Sequence, residues 1–280
     1  MDNEVKKARG VIEWSNDLFA ATAMAPEFSS EKLTTANLKK VRNDIDKVLK
    51  KLSAVAAQLD PIKQPNSVFD PSNPEAVGRV VAMALLSQHK RSLLSIPRFY
   101  GSGIYAIYYT GSFSEYSPLA GADHPIYVGK ADPLSPKARY PQEQGEKLCS
   151  RLKEHLKSIK KATNLNTEDF QCRFLIVASG WQEAAERYLI NLYKPIWNKE
   201  TKICYGIGKH GDSAGTRGNK RSPWDTMHSG REWAEHTIDD QVSKDKIIDM
   251  LTHHFRSNPP IVDKQKAVDT FLEEMCQHHN

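Results

Sequence analysis

The chain is short of the features that would set it apart from ordinary globular proteins. Its four cysteines, Cys149, Cys172, Cys204 and Cys276, are far apart and form no CxxC pair. A disulfide-stapled miniprotein is therefore excluded, and reduced thiols are expected. No apolar run approaches the ~18–20 residues that a membrane span needs, so no membrane partner is expected. The opening MDNEVKKARGVIEW has no apolar stretch of the kind a secretory signal carries, which points to the cytoplasm. No internal repeat and no long low-complexity tract is present. What remains is 280 residues, 39% hydrophobic and 26% charged. That is enough to bury a real core, as one large domain or two small ones.

The net charge of +5 means little by itself, but its distribution is uneven. Residues 130–161 carry nine Lys/Arg against four Asp/Glu, and residues 201–231 carry six against two. These segments contribute +5 and +4, so the rest of the chain sums to 5 − 9 = −4. Two basic stripes suit a polyanion such as nucleic acid, although solvated surface is an equally good reading of charge alone.

Three regions are legible. Residues 1–98 read as a helical N-terminal arm. Leu38, Val41, Ile45, Val48, Leu52, Val55 and Leu59 alternate spacings of three and four, the seam of an amphipathic helix. Thr34 or Thr35 would cap it, and Asp60-Pro61 would end it. The seam suits either packing within the chain or a coiled coil between subunits. A proline-rich loop, Pro61–Pro74, leads to a second helix at Glu75–Gln88. Residues 99–200 form the expected core: strands at Gly103–Tyr109, Pro125–Gly129 and Phe170–Ala178, and helices at 146–161 and Trp181–Tyr193. Residues 201–280 hold a glycine-rich basic loop followed by helices near Ser243–Arg256 and Asp263–His278.

Within the core, four short patterns follow in order. Tyr105 lies in GIY. Tyr127 lies in YVG, followed by Lys130. Arg151 and His155 are four apart on one helix and share a face. Glu186 lies on the next helix, and Asn198 follows twelve residues later. Each has an ordinary reading taken singly. The tyrosines would be core residues, Arg151 and His155 a solvated helix face, and Glu186 surface charge.

In combination they resemble the GIY-YIG nuclease superfamily, with YVG standing for YIG, over roughly Gly103–Asn198. The tail GIGKHGDSAGTRGNKRSPWDTMHSGREWA and the Arg-x-x-x-His pair are similar to the type II restriction endonuclease branch that cuts CCGCGG. The resemblance implies an α/β (α+β) fold, a small antiparallel sheet flanked by helices. It also implies catalytic roles for Tyr105, Tyr127, Arg151, Glu186 and Asn198, with His155 in the active site, and a bacterial cytoplasmic setting. Alternatives on the same fold are a structure-specific repair nickase and a homing endonuclease. A DNA-binding module without catalysis is the alternative from another class.

Phosphodiester hydrolysis needs an activated water, charge stabilisation at phosphorus and help for the departing oxygen. Glu186 alone can hold one hard divalent ion, Mg2+ or Mn2+, whose other positions go to water and phosphate. No nucleotide cofactor is called for. Arg151 offers a permanent charge and a planar fork. Tyr105 is the general base that the family implies. A free phenol ionises near ~10, so the reading needs Lys130, Arg151 and the metal to favour phenolate. His155, near ~6.5 unperturbed, is the competing base. Tyr127 would orient water or phosphate, and Asn198 active-site groups or a phosphate. Attack through a covalent tyrosyl-phosphate is a variant the resemblance disfavours. Lys209, His210, Arg217, Lys220, Arg221, Trp224, His228 and Arg231 are the candidate DNA-contact residues. Arg suits guanine because it reaches O6 and N7 together. Within that set, Trp224 and His228 read better as buttresses of the loop than as stacking partners. A palindrome cut in both strands calls for a homodimer, or a homotetramer of paired dimers.

Overall fold

The structure, a computed structural model, describes residues 34–59, 62, 69–208, 220–237 and 239–276. The chain divides between Pro65 and Asn66 into two compact units.

In the first unit, α1 (Thr35–Leu59) carries the seam read from the sequence. Thr34 caps it, its hydroxyl accepting the Asn37 N–H at 3.3 Å. None of the helix's residues is buried, and Val41, Ile45, Val48 and Leu59 are exposed.

In the second unit the sheet is centred on β2 (Gly103–Tyr109), whose seven residues are all buried. Its alternation decides the architecture, because neighbouring side chains on a strand leave on opposite faces. Tyr105, Ile107 and Tyr109 join one core with Leu148, Leu152 and Ile159. Ile104, Ala106 and Tyr108 join a second core with Leu85, Leu86 and Leu189. The apolar run GIYAIYY is the signature of a strand covered on both sides. β3 (Tyr127–Ala131) and β4 (Phe170–Ile176) flank β2, and β1 (Arg91–Ser92) pairs outside β4. The order is β1-β4-β2-β3 and every pair is antiparallel, so β3 is an edge.

Two helices flank the sheet's second face: α2 (Pro74–Ser87) and α4 (Gln182–Tyr193). On the first face lies α3 (Lys147–Lys161). α2 starts where Asn73 accepts the Glu75 N–H ahead of Pro74. It buries Ala82, Leu85 and Leu86 in the same core as α4. The second helix of the region read as an arm, residues 1–98, thus packs within the unit that holds the sheet, and the division between units falls after residue 65. The sequence reading also missed β1, whose two residues are too few to show a period. α5 (Pro223–Met227), α6 (Lys244–Ser257) and α7 (Lys264–Cys276) complete the unit. Cys149, Cys172 and Cys204 are free and buried. Among the described residues, no helix is long and apolar enough to cross a membrane.

α2 and α4 approach closely at Gly78, where an added methyl would sit 2.8 Å from both the carbonyl carbon and Cβ of Ala184. Gly78→Ala should lower stability by about 1–3 kcal/mol through overpacking, read as a drop in melting temperature by calorimetry.

Candidate active site

The site is built around the edge strand β3. Tyr127, Gly129 and Ala131 leave on the α3 face, and Val128 and Lys130 on the α4 face. Register places Gly129 opposite Tyr105 on β2. A Cβ at Gly129 would stand 2.6 Å from the Tyr105 hydroxyl and 2.9 Å from the Tyr127 ring. The glycine of YVG is thus the space into which the Tyr105 hydroxyl fits.

That hydroxyl meets Nε2 of His155 at 2.7 Å, and the Tyr127 ring lies 4.8 Å, centroid to centroid, from the His155 ring. His155 is 1% exposed, so it is not on a solvated helix face. It falls on the same buried side of α3 as Leu148, Leu152 and Ile159. Arg151, one turn earlier, is half-buried and interacts electrostatically with both tyrosines. The Tyr105 phenol is pushed well above its ordinary value. Burial is the main cause and Tyr127 adds to it, while Arg151 opposes both. Burial thus opposes the phenolate that the neighbouring Arg151 favours.

Across β3, Glu186 on α4 is half-buried and pushed up to about 7. Burial is the chief cause, opposed by Lys130, and Glu200 and Asp132 add to the rise. Lys130 Nζ stands 3.1 Å from Asp132 and 3.8 Å from Glu183.

Asn198, 4% exposed, uses its side chain fully on one residue. The Val128 N–H donates to Oδ1 at 2.9 Å, and Nδ2 donates to the Val128 carbonyl at 2.8 Å. These two bonds tie Asn198 to the strand that carries Tyr127 and Lys130.

The candidate DNA-contact residues separate into groups. Lys209, His210 and Arg217 lie outside the described residues. Lys220 is exposed, and Arg221 pairs with Asp240 at 2.7 Å. Trp224 and His228 are 0% exposed. His228 Nδ1 lies 2.9 Å from Asn164 Oδ1, and Nε2 lies 2.6 Å from the Tyr116 hydroxyl. Burial, with Lys244 and Arg231 nearby, pushes the imidazole down to about 3, so it is neutral. Both side chains are thus packed in the interior rather than presented to solvent.

Arg231 is corrected outright. Only 3% exposed, it donates to Asp225 at 2.6 Å and to the carbonyls of Ile207 and Gly206 at 3.0 and 3.1 Å. Its guanidinium carbon lies 4.5 Å from the Trp224 ring centroid. A buried, charge-paired arginine is an anchor rather than a surface donor. What it anchors abuts the site: a Cβ at Gly208 would lie 3.2 Å from Arg151 Nη2. The sequence held a signal for this anchor. Ser222-Pro223-Trp224-Asp225 is a helix start, with Ser222 capping α5 and accepting the Asp225 N–H. Tyr116, which accepts the Trp197 Nε1–H at 2.9 Å, had no comparable signal.

A two-tyrosine edge-strand site with arginine on one flanking helix and glutamate on the other defines a GIY-YIG nuclease. A family model described as the Eco29kI GIY-YIG domain matches residues 97–255, more than half of the 280-residue chain. The chain belongs to that restriction-endonuclease family. No curated protein matches it.

Gly129→Ala tests the packing at the site. The added methyl should displace the Tyr105 hydroxyl and lower DNA cleavage at least about 100-fold, the scale of a lost proton-transfer group. Circular dichroism should show a folded protein.

Proposed function

We propose that this protein is a type II restriction endonuclease. It hydrolyses both strands of DNA at a G/C-rich palindrome, with a divalent cation at Glu186. Eco29kI, for which the matched family is named, cuts CCGCGG. That sequence is the first candidate target here. The observation carrying the reading is the buried 2.7 Å contact between the Tyr105 hydroxyl and His155 Nε2, with Arg151 on the same helix.

The two candidate bases are then one device. With the His155 ring proton on Nδ1, Tyr105 donates to His155 Nε2. As the phenol oxygen takes a proton from water, its own proton passes to the imidazole. The charge ends on His155, and a full phenolate never has to form. Tyr127 holds the attacking water or a phosphate oxygen. Arg151 and Lys130 face the phosphate charge.

The donor set fits a hard dication. Glu186 is an oxygen ligand whose charged form is disfavoured by burial, Glu200 and Asp132, a cost that a cation offsets. Among the described residues, no three or more His, Cys, Asp or Glu are grouped to hold a metal. Water and DNA would complete the shell. Mg2+ there, or Mn2+ in its place, would supply charge stabilisation at phosphorus and the leaving oxygen.

Each chain has one Glu186 and one Arg151, so one chain serves one strand. A homodimer or homotetramer follows, and the exposed apolar seam of α1 is available to join subunits. Light scattering of the complex with a single-site duplex tests this. A 1:1 complex that cuts both strands in one binding event refutes it.

Plasmid digestion with Mg2+ tests the activity. Discrete limit fragments support restriction, nicks a repair enzyme, and binding without cleavage a DNA-binding module.

Glu186→Gln should abolish cleavage while leaving DNA affinity within about threefold, since the cation acts on transition-state charge. In the unaltered protein, a cation must displace the proton that Glu186 holds with a value of about 7. Below that pH, cleavage at sub-saturating Mg2+ should fall about tenfold per unit, and excess Mg2+ should move the profile to lower pH. A flat profile between pH 5.5 and 7 opposes the assignment.

Tyr105→Phe and His155→Ala should each reduce the single-turnover rate about 100- to 10,000-fold. The double variant should be no worse than the weaker single one, because the pair acts as a unit. Additive losses would separate the two roles.

A further inference from the structure

The cleft that Arg151 and Lys130 line contains carboxylates that the reaction above leaves without a task. It encloses about 550 Å3 and is lined by Lys130, Lys147 and Arg151 together with Asp132, Glu146 and Glu154. Cations and carboxylates are equal in number, although phosphate is a polyanion. The pairing is also specific. Arg151 Nη1 donates to Glu154 Oε2 at 2.7 Å, one turn apart on α3, and Lys130 is held by Asp132 at 3.1 Å.

We propose that Glu154 determines selectivity: it occupies the Arg151 guanidinium as a stand-in for phosphate until cognate DNA displaces it. The inference rests on the nuclease reading given above. A carboxylate and a phosphodiester compete for the same guanidinium N–H groups with the same charge-assisted geometry. The pair is half in solvent, with the Glu154 side chain 44% and Arg151 35% exposed, so the carboxylate can turn away without leaving a buried charge behind. Such pairs are weak, and the barrier is small enough for specific contacts elsewhere to outweigh it. With those contacts the displaced state is fully populated and the pairing no longer limits the rate, whereas a phosphodiester arriving without them populates it only in part, so the Arg151–Glu154 pairing slows that duplex alone.

Glu154 is not what points Arg151 at the site. The guanidinium also interacts electrostatically with Tyr105 and Tyr127, and a Cβ at Gly208 would lie 3.2 Å from its Nη2. Removing the Glu154 charge therefore frees Arg151 more than it misplaces it.

The test compares the unaltered protein with Glu154→Gln, which keeps shape and removes charge, and with Glu154→Ala. The substrates are a duplex containing CCGCGG and the same duplex with one base pair changed. Both variants should cut the altered duplex about three- to tenfold faster relative to CCGCGG than the unaltered protein does. Their affinity for the altered duplex should rise by a similar factor, and its salt dependence should steepen by about one counterion. Equal losses on both duplexes would make Glu154 a support for Arg151 and overturn the proposal, as would an unchanged ratio with an unchanged salt slope. If the unaltered protein cuts no DNA, it is the nuclease reading that fails. The binding and salt measurements still decide for or against Glu154.

Discussion

An edge strand leaves a row of backbone N–H and C=O groups without a sheet partner, and here that strand carries the chemistry. β3 pairs with β2 on one side only. On the other side, the Asn198 amide takes both groups of Val128, as a neighbouring strand would. The turn that carries Asn198 is tied down in its own right. Trp197 donates its backbone N–H to Ile126, and Thr201 Oγ1 donates to the Asn198 carbonyl. Only with β3 fixed do its two faces become useful. One holds Tyr127 against His155, and the other places Lys130 beside Glu186. A paired strand in that position would block access to the site, and an unpinned edge would let it drift.

The main elements could be read from the sequence because they follow from periodicity. GIYAIYY, buried on both faces, became β2 over Gly103–Tyr109 as expected, and the 146–161 helix appeared as Lys147–Lys161. Both ends of β3 lie two residues later than expected, because its pairing with β2 runs from Tyr127 opposite Ile107 to Ala131 opposite Gly103. The roles of side chains were less legible. Charge in a sequence does not distinguish a donor facing solvent from one facing a buried carboxylate. Arg221 and Arg231 both looked like phosphate donors, yet one pairs with Asp240 at the surface and the other with Asp225 in the interior. Only the Ser222-to-Asp225 capping pattern hinted at the difference. The boundary of the arm was hidden for a related reason. An amphipathic pattern shows that a helix has an apolar face but not what covers it. α2 found α4, whereas the equally regular seam of α1 leaves Val41, Ile45, Val48 and Leu59 exposed.

The tyrosine–histidine contact changes what a base must be in this site. Burial makes phenolate expensive, which tells against Tyr105 as a base if it must ionise first. It tells in favour of Tyr105 as a conduit. A phenol that receives one proton while releasing another never carries the charge that burial penalises. The cost moves to His155, whose cationic form would stand near Arg151, an unfavourable neighbour. Phosphate relieves that repulsion. A phosphodiester beside Arg151 brings one negative charge, which offsets the guanidinium and removes part of the penalty on an imidazolium. In the proposed reading, proton transfer and DNA binding are therefore coupled through electrostatics. The site is a poor base while empty and a competent one once the polyanion it acts on is in place.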